Sequence, residues 1–591
     1  MKYETMSDRT RQVMIDSFGS LDRSVALCGG KGSFELRNLR RESDGSLTRR
    51  GGLVPLVTLE GDVRGGTTVL REGVQEHYVV AGNGVYHLTE QDGGMQAAKI
   101  GELTTEQGRV DFACCGGAVL LLDGMELWTL TREGMVPTEA YVPLYGKDWS
   151  PTDIATHVMN EQPNLLSRRL RVRYVLGDAT KSVTLSTLVP ETVDALLING
   201  EPYEGSISYS SIAKAVSIGQ QMPAGAQVEV YMTMPAEFAA SRRDITACRR
   251  MAAIGQAEQP RMMFYDGADE ASVYLCRAIS QAECDHVRTV VADMCMLYVT
   301  VQDKITIGDG VHAVTGACRH YDRSLIFTAC GTWMADGEEN AEGTLRLIPV
   351  NTTLGCSNAG AFLAAGNDPI SVHGHRVLRW TSQTDERNEC NALPISLPVE
   401  TMLPSDFGRS TAVCMDEASG EIWFYRPDKQ GRVFVYQTTC DGWTSFDGFL
   451  PHVVFAFAGG VGIGIGHTLY AVSAEATADT LITEAHPEGE RVGIDAEYAG
   501  SFADFGLATQ SKRLCTAEVV AACSDQTVQL TLQSVNGRRQ HVLMRGDGNE
   551  ISVMRRRTGM GRVRFVRLGV RTDHDGPMRL YAIRLNARGG A

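Results

Sequence analysis

The sequence predicts a mainly β chain: a β-propeller interrupted by an inserted small β-sandwich module and followed by a C-terminal β-sandwich region. Three observations carry this expectation. The 591 residues include 62 Gly against 19 Pro, with Val, Thr and Tyr gathered in short runs, a composition suited to strands joined by tight turns. Aromatic residues in strand-like runs recur at regular intervals. Tyr86 and Trp128 lie 42 residues apart, and Trp333, Trp380, Trp423 and Tyr470 follow one another at steps of 47, 43 and 47, the spacing of four-stranded blades. Amphipathic stretches long enough to serve as crossover helices are few, so radial repetition of antiparallel sheets fits better than a parallel α/β fold. An array of β-sandwiches shares this spacing and is the competing architecture.

Residues 1–33 read as an N-terminal arm. Its first eighteen residues, MKYETMSDRTRQVMIDSF, carry charge throughout and lack the apolar core of a secretory signal. Ser7–Ile15 reads as a short helix. No stretch of the chain approaches the roughly 18 apolar residues of a membrane span, so a product made in a cytoplasm, with no membrane span, is expected.

The propeller is expected to open at residue 34 and to run to 150 in its first part. Phe34–Gly52, FELRNLRRESDGSLTRRGG, places apolar Phe34, Leu36 and Leu39 ahead of Asp44-Gly45, a dipeptide that tolerates positive φ, and so predicts a hairpin. Arg37, Arg40, Arg41, Arg49 and Arg50 bracket its turn, either as a solvated basic loop or as an edge facing phosphate or a partner. Further strands are expected at Glu76–Val80, Val85–Leu88, Ala118–Leu122 and Leu127–Leu130, each closed by Gly or Asp-Gly.

Residues 151–235 change character and read as a compact sandwich, with strands at Leu170–Val175, Ser182–Leu185 and Ala195–Ile198, the last closed by Asn199-Gly200. The propeller resumes over 236–490, entered through AEFAASRRDITACRR, a helical candidate free of Gly and Pro. Residues 491–591 form the C-terminal region, where Thr527–Leu532 alternates polar and apolar residues as a half-buried strand does.

Charge is unevenly placed. The formal net charge is −15, which argues against a dedicated nucleic-acid binder. From Ile551 onward, however, ten Arg stand against two Asp. An acidic body with one basic end suggests an assembly surface, for which the candidate residues are Arg49, Arg50, Arg555, Arg556, Arg557, Arg562 and Arg564. The alternation Arg562-Val563-Arg564-Phe565 equally suits the wet face of an edge strand. The fifteen cysteines are spread without a Cys-x-x-Cys pair and read as buried thiols.

Catalytic signals are weak. Sialidases and many glycosidases place paired carboxylates on propellers, but Ser43-Asp44-Gly45-Ser46 lacks the spacing of their turn motif. His373-Gly374-His375 would put two imidazoles on one strand face, and Cys284-Asp285-His286 gathers three metal-ligand types. Neither has a second ligand pair at a recognisable distance. The run Gly459–Gly466 precedes a strand rather than a helix, so close packing explains it better than a phosphate cradle. No catalytic residue, cofactor or metal is expected, and the chain reads as a non-enzyme.

Three segments, RNLRRESDGSLTRRGG, VFVYQTTCDGWTSFDG and GPMRLYAIRL, occur in an order that resembles the tail hub or nozzle (packaged-DNA stabilisation) propeller proteins of short-tailed bacteriophages. Those hubs commonly place Pro-Gly after the basic strand; here Gly51-Gly52 stands there, with Pro55 three residues on. The stretch with Asn199-Gly200, Pro223-Ala224-Gly225-Ala226 and Val228–Met232 resembles the small β module that opens many phage tail fibres. The resemblance implies a structural virion protein, forming a homohexameric ring below the portal-adaptor. Such a ring retains packaged double-stranded DNA, lets it pass without sequence-specific binding, and supports fibres or spikes. The alternatives are a carbohydrate-binding or glycan-hydrolysing propeller, and a baseplate or fibre-attachment component of a longer tail.

Overall fold

A computed structural model describes residues 2–7, 10–24, 32–91, 93–239, 241–255, 261–321, 323–339, 345–382 and 390–589. The chain divides into two units, one of Met1–Gln107 with Leu354–Ala591 and one of Gly108–Thr353. Both are built almost entirely of antiparallel strands, and the chain is a β-propeller protein with an inserted sandwich and a C-terminal sandwich region.

Seven four-stranded blade sheets lie among the described residues. The first unit holds four. One spans Val63–Arg71 to Gly94–Glu102, a second Phe362–Leu363 to Cys390–Pro394, and a third Ala412–Asp416 to Gly442–Phe446. The fourth is completed from a distance: Val453–Phe457, Gly460–Ile465 and Thr468–Ser473 take Gly52–Thr58 as their fourth strand, with Leu469 opposite Val57 and Val472 opposite Leu53. The second unit holds three, spanning Asp111–Cys115 to Met135–Pro137, Arg250–Ile254 to Lys304–Thr306, and Val314–His320 to Leu345–Asn351.

In every blade the third strand carries a large aromatic residue: Tyr86, Trp128, Tyr274, Trp333, Trp380, Tyr436 and Tyr470. Trp423 therefore breaks the expected series. It lies in Glu421–Tyr425, the second strand of its blade, and Tyr436 occupies the repeating position. The glycine run behaves as close packing requires. In the strand Gly460–Ile465, a Cβ on Gly462 would meet the Phe455 ring at 2.9 Å and one on Gly464 would meet Val63 Cβ at 2.7 Å.

The insert is two facing sheets within the second unit. A five-stranded sheet is ordered Leu144–Trp149, Arg169–Val175, Gln227–Thr233, Thr192–Ile198, Glu201–Pro202, and a three-stranded sheet Thr180–Thr184, Ala215–Met222, Ile207–Ser210. It thus begins with Leu144, inside the stretch assigned to the propeller, because Leu144–Trp149 pairs in parallel with Arg169–Val175. Its core packs Trp149, Leu170, Val172, Tyr174 and Val216 against Val228 and Val230. Asn199 and Gly200 both take positive φ, 53° and 85°, the turn expected of that pair. The helical candidate after the insert is only two short pieces, Ala236–Ala239 and Arg242–Thr246.

The arm is not helical where helix was expected. Lys2–Ser7 and Thr10–Ile15 are paired strands, and the second of them pairs with Arg579–Gly589 near the other end of the chain. Val13 and Ile15 are buried in this sheet, so the alternation Val13-Met14-Ile15 follows a strand period, and tertiary pairing overrides the helical reading. The same sheet contains Lys512–Ala522 and Ser552–Arg557. Opposite it, Ala496–Ala503, Val566–Thr572, Thr527–Ser534 and Arg539–Arg545 form the other layer of the terminal sandwich, with Val528, Leu530 and Leu532 fully buried.

The hairpin at Phe34–Gly52 forms, with Leu39 opposite Arg49 and Arg41 opposite Leu47, but it does not enter the first blade. Glu35–Arg37 lies between Gly442–Phe446 of a blade and Ala496–Ala503 of the sandwich, so one nine-stranded sheet runs through both. Leu47–Arg49 pairs with Arg579–Gly589. The segment is the seam between blade and sandwich.

Candidate assembly interface

The hairpin arginines lead inward from this seam. Arg37 reaches Asp495 at 2.8 Å, Glu497 at 3.0 Å and Asp447 at 3.2 Å. Arg40 forms a two-pronged pair with Glu421, at 2.7 and 2.8 Å. Desolvation by burial would lower the basicity of both, yet the facing carboxylates outweigh it and hold both guanidinium groups above the usual arginine range.

Arg49 and Arg50 need correction as surface candidates. Arg49 is 6% exposed and Arg50 2%. Arg49 donates to the backbone carbonyls of Thr477 (2.6 Å), His574 and Gly576; burial and then the neighbouring Arg50 push its guanidinium down to about 10. Arg50 grips Asp479 through two hydrogen bonds of 2.8 and 2.7 Å, and also donates to Asn38 Oδ1 and the Asp447 carbonyl. Asp479 in turn accepts from the Leu53 amide at 2.9 Å. A Cβ on Gly51 would land on the Ser473 carbonyl and one on Gly52 on that of Ala478. The basic Arg-Arg-Gly-Gly run is therefore an internal clamp that lets the chain pass close beside two backbones.

The other five candidates are exposed, as an interface requires. Arg555, Arg556 and Arg557 lie in Ser552–Arg557, which among the described residues pairs on one side, with Thr516–Ala521. Arg562 continues the same edge by pairing with Arg513, and Arg564 follows it. Lys512–Ala522 supplies the register that gathers these charges: Arg513 is opposite both Arg562 and Arg588. Directly opposed residues share a face of a sheet, so Arg562, Arg513 and Arg588 form one row across three strands. Among the described residues no carboxylate forms an ion pair with any of the three, or with Arg555, Arg556, Arg557 or Arg564. Glu518, which faces Arg555 in register, is instead bonded to Arg584 at 2.6 Å.

Apolar side chains border this cationic face. Val553, within the edge strand, is 59% exposed, and Ile551, just before it, is 47% exposed. Sequence reasoning missed Arg513 and Arg588 as candidates because nothing within their own strands aligns them with Arg562. Only the register brings them beside Arg562.

The remaining motifs resolve as structure. His373 ends the strand Ile370–His373, whereas Gly374 (φ 61°) and His375 form the turn to Arg376–Ser382, so the two imidazoles do not share a strand face. Cys284, Asp285 and His286 diverge from the helix Gln281–Arg288: Cys284 is buried, Asp285 accepts from Gln281, and His286 bonds Glu229 at 2.7 Å. Asp44 accepts from Ser46 and Arg579, which together hold its carboxyl below the usual range. A cavity of about 900 Å³ in the first unit is lined by Asp16, Arg41, Tyr436, Asp441 and Trp443 among others. Tyr436 and Trp443 are buried in its wall and present no open ring face on which a sugar would stack.

No protein-family model and no curated protein matches the chain. Among solved structures, the WD40 β-propeller domain of Doa1 is similar at 7% identity and a TM-score of 0.30, covering 72% of this chain and 98% of that one. AztD from Citrobacter koseri is similar at 8% identity and a TM-score of 0.28, covering 73% and 99%. An exo-β-1,3-galactanase from Phanerochaete chrysosporium is similar at 10% identity and a TM-score of 0.21, covering 70% and 100%. At these scores the likeness carries no argument about function.

Proposed function

We propose that the chain is a structural protein of a bacteriophage tail, the hub or nozzle ring that lies below the portal-adaptor, retains packaged DNA and supports fibres. The observation that carries the reading is the terminal sandwich: a sheet shared with a blade leads into a sandwich whose exposed edge is lined with unpaired arginines, on a chain whose net charge is −15. A continuous sheet transmits load between blade and sandwich without a flexible joint, which suits a part held under pressure. The acidic balance suits a channel through which DNA slides, since a basic lining would hold it through phosphate contacts. The cationic edge then serves contacts with neighbouring proteins, and the inserted sandwich offers a second platform for fibres.

The test is electron microscopy of the purified protein, alone and mixed with a portal-adaptor protein, together with mass spectrometry of virions. Rings in the mixture and the chain in the virion are expected. Monomers throughout, with the chain absent from virions, would sink the reading.

A further inference from the structure

We infer that the open edge made by Ser552–Arg557 is a docking line for an extended acidic segment of a different protein, which adds to the sheet as one more strand. This deepens the assembly reading and rests on it.

The edge has the required parts. Among the described residues its strand is paired only toward Lys512–Ala522, which leaves a row of backbone donors and acceptors facing outward. Val553, Arg555 and Arg557 share its outer face by the two-residue period, so an added strand would set an apolar residue beside Val553 and acidic ones beside the two arginines. Arg555 is available because its cross-strand neighbour Glu518 is engaged by Arg584.

Arginine on an edge also serves to prevent unwanted pairing. That role does not call for the apolar residues beside it, and Val553 and Ile551 are each about half exposed or more.

The same observations select the occupant. A second copy pairing through this edge would set arginine against arginine, a repulsive arrangement. Among the described residues, no strand at the margin of a sheet carries acidic residues at alternate positions, so another copy has no complementary edge to offer. A nucleic acid would use the arginines but not the exposed aliphatic side chains, since its contacts to such a surface are to phosphate. An acidic, partly apolar polypeptide strand uses both.

The experiment uses the full chain and a fluorescent peptide of alternating valine and glutamate matched to the length of the edge strand. Three further probes accompany it: the lysine counterpart, the glutamate peptide N-methylated at alternate residues, and a short DNA duplex. The glutamate peptide is expected to bind, and the lysine and N-methylated peptides are not. Arg555→Glu with Arg557→Glu should weaken binding by about tenfold or more and admit the lysine peptide, while Arg555→Lys with Arg557→Lys stays within about threefold of the parent.

Glutamate-peptide binding that survives charge reversal, or an N-methylated peptide that binds as well as its parent, overturns strand addition. Duplex binding in preference to the glutamate peptide, abolished by the same reversal, overturns it in favour of nucleic acid. Failure of the peptide arm alongside rings and virion incorporation removes this inference alone. Peptide binding without either removes the hub reading.

Discussion

Replacing Arg50 by methionine should loosen the blade that Gly52–Thr58 completes. Arg50 and Asp479 are both almost fully buried and joined by two hydrogen bonds. Removal of the guanidinium leaves a buried carboxylate whose remaining bond is to the Leu53 amide. Breaking one side of such a pair costs about 3–5 kcal/mol. At about 1.4 kcal/mol per decade this is a rise of about two to three and a half decades in local opening.

Native-state hydrogen exchange of amides in Gly52–Thr58 and Thr468–Ser473 reads that opening directly, and avoids treating a chain with two units as a single cooperative transition. Arg50→Met combined with Asp479→Leu should recover most of the loss, because the uncompensated charge is gone. A residue of about 1 kcal/mol or more should persist from the lost bond to Leu53 and from the carbonyls that Arg50 no longer satisfies. Acceleration below about tenfold in Arg50→Met, or a double variant as impaired as the sum of the singles, would refute the clamp.

Three other outcomes follow from the geometry. Gly52→Ala, which drives a methyl group onto the Ala478 carbonyl, should speed exchange in the same strand although no charge is touched. In the insert, burial pushes the Glu229 carboxyl up, but His286, Arg171 and Arg173 outweigh it and hold it below its ordinary 4.5. Its contribution is therefore complete above about pH 4.5 and is lost as pH falls through the lower folded value. Protease nicking near the helix Gln281–Arg288 should rise in that acid range, and Glu229→Gln should raise nicking at neutral pH. Gly200→Ala, at φ 85° in the Asn199-Gly200 turn, should cost the insert about 1 kcal/mol, read as a lower melting temperature of the corresponding transition.

Much of the local architecture was legible because strand and turn signals are properties of neighbouring residues. The alternation in Thr527–Leu532 specifies one buried face, and Asn199-Gly200 and Asp44-Gly45 specify turns through tolerance of positive φ. The aromatic interval was read correctly in character and wrongly in one phase. Trp423 and Tyr436 belong to adjacent strands of one blade, and the even interval selects Trp423 although Tyr436 holds the repeating position. The candidate interface was partly visible: five of the seven arginines expected there are exposed, while Arg513 and Arg588, exposed as well, join them only through register.

By itself, then, the sequence determined that this is a strand-rich protein of repeated four-stranded sheets with a distinct insert and a basic end. Only the tertiary structure decided that Gly52–Thr58 completes a blade begun at Val453, that Thr10–Ile15 lies along Arg579–Gly589, and that Arg49 and Arg50 are interior while Arg555 and Arg557 face out. The physical reason is common to all three. Period and turn chemistry act over a few residues, whereas pairing joins strands hundreds of residues apart through identical backbone groups. An arginine reads the same in the sequence whether register sets it against a buried carboxylate or against water.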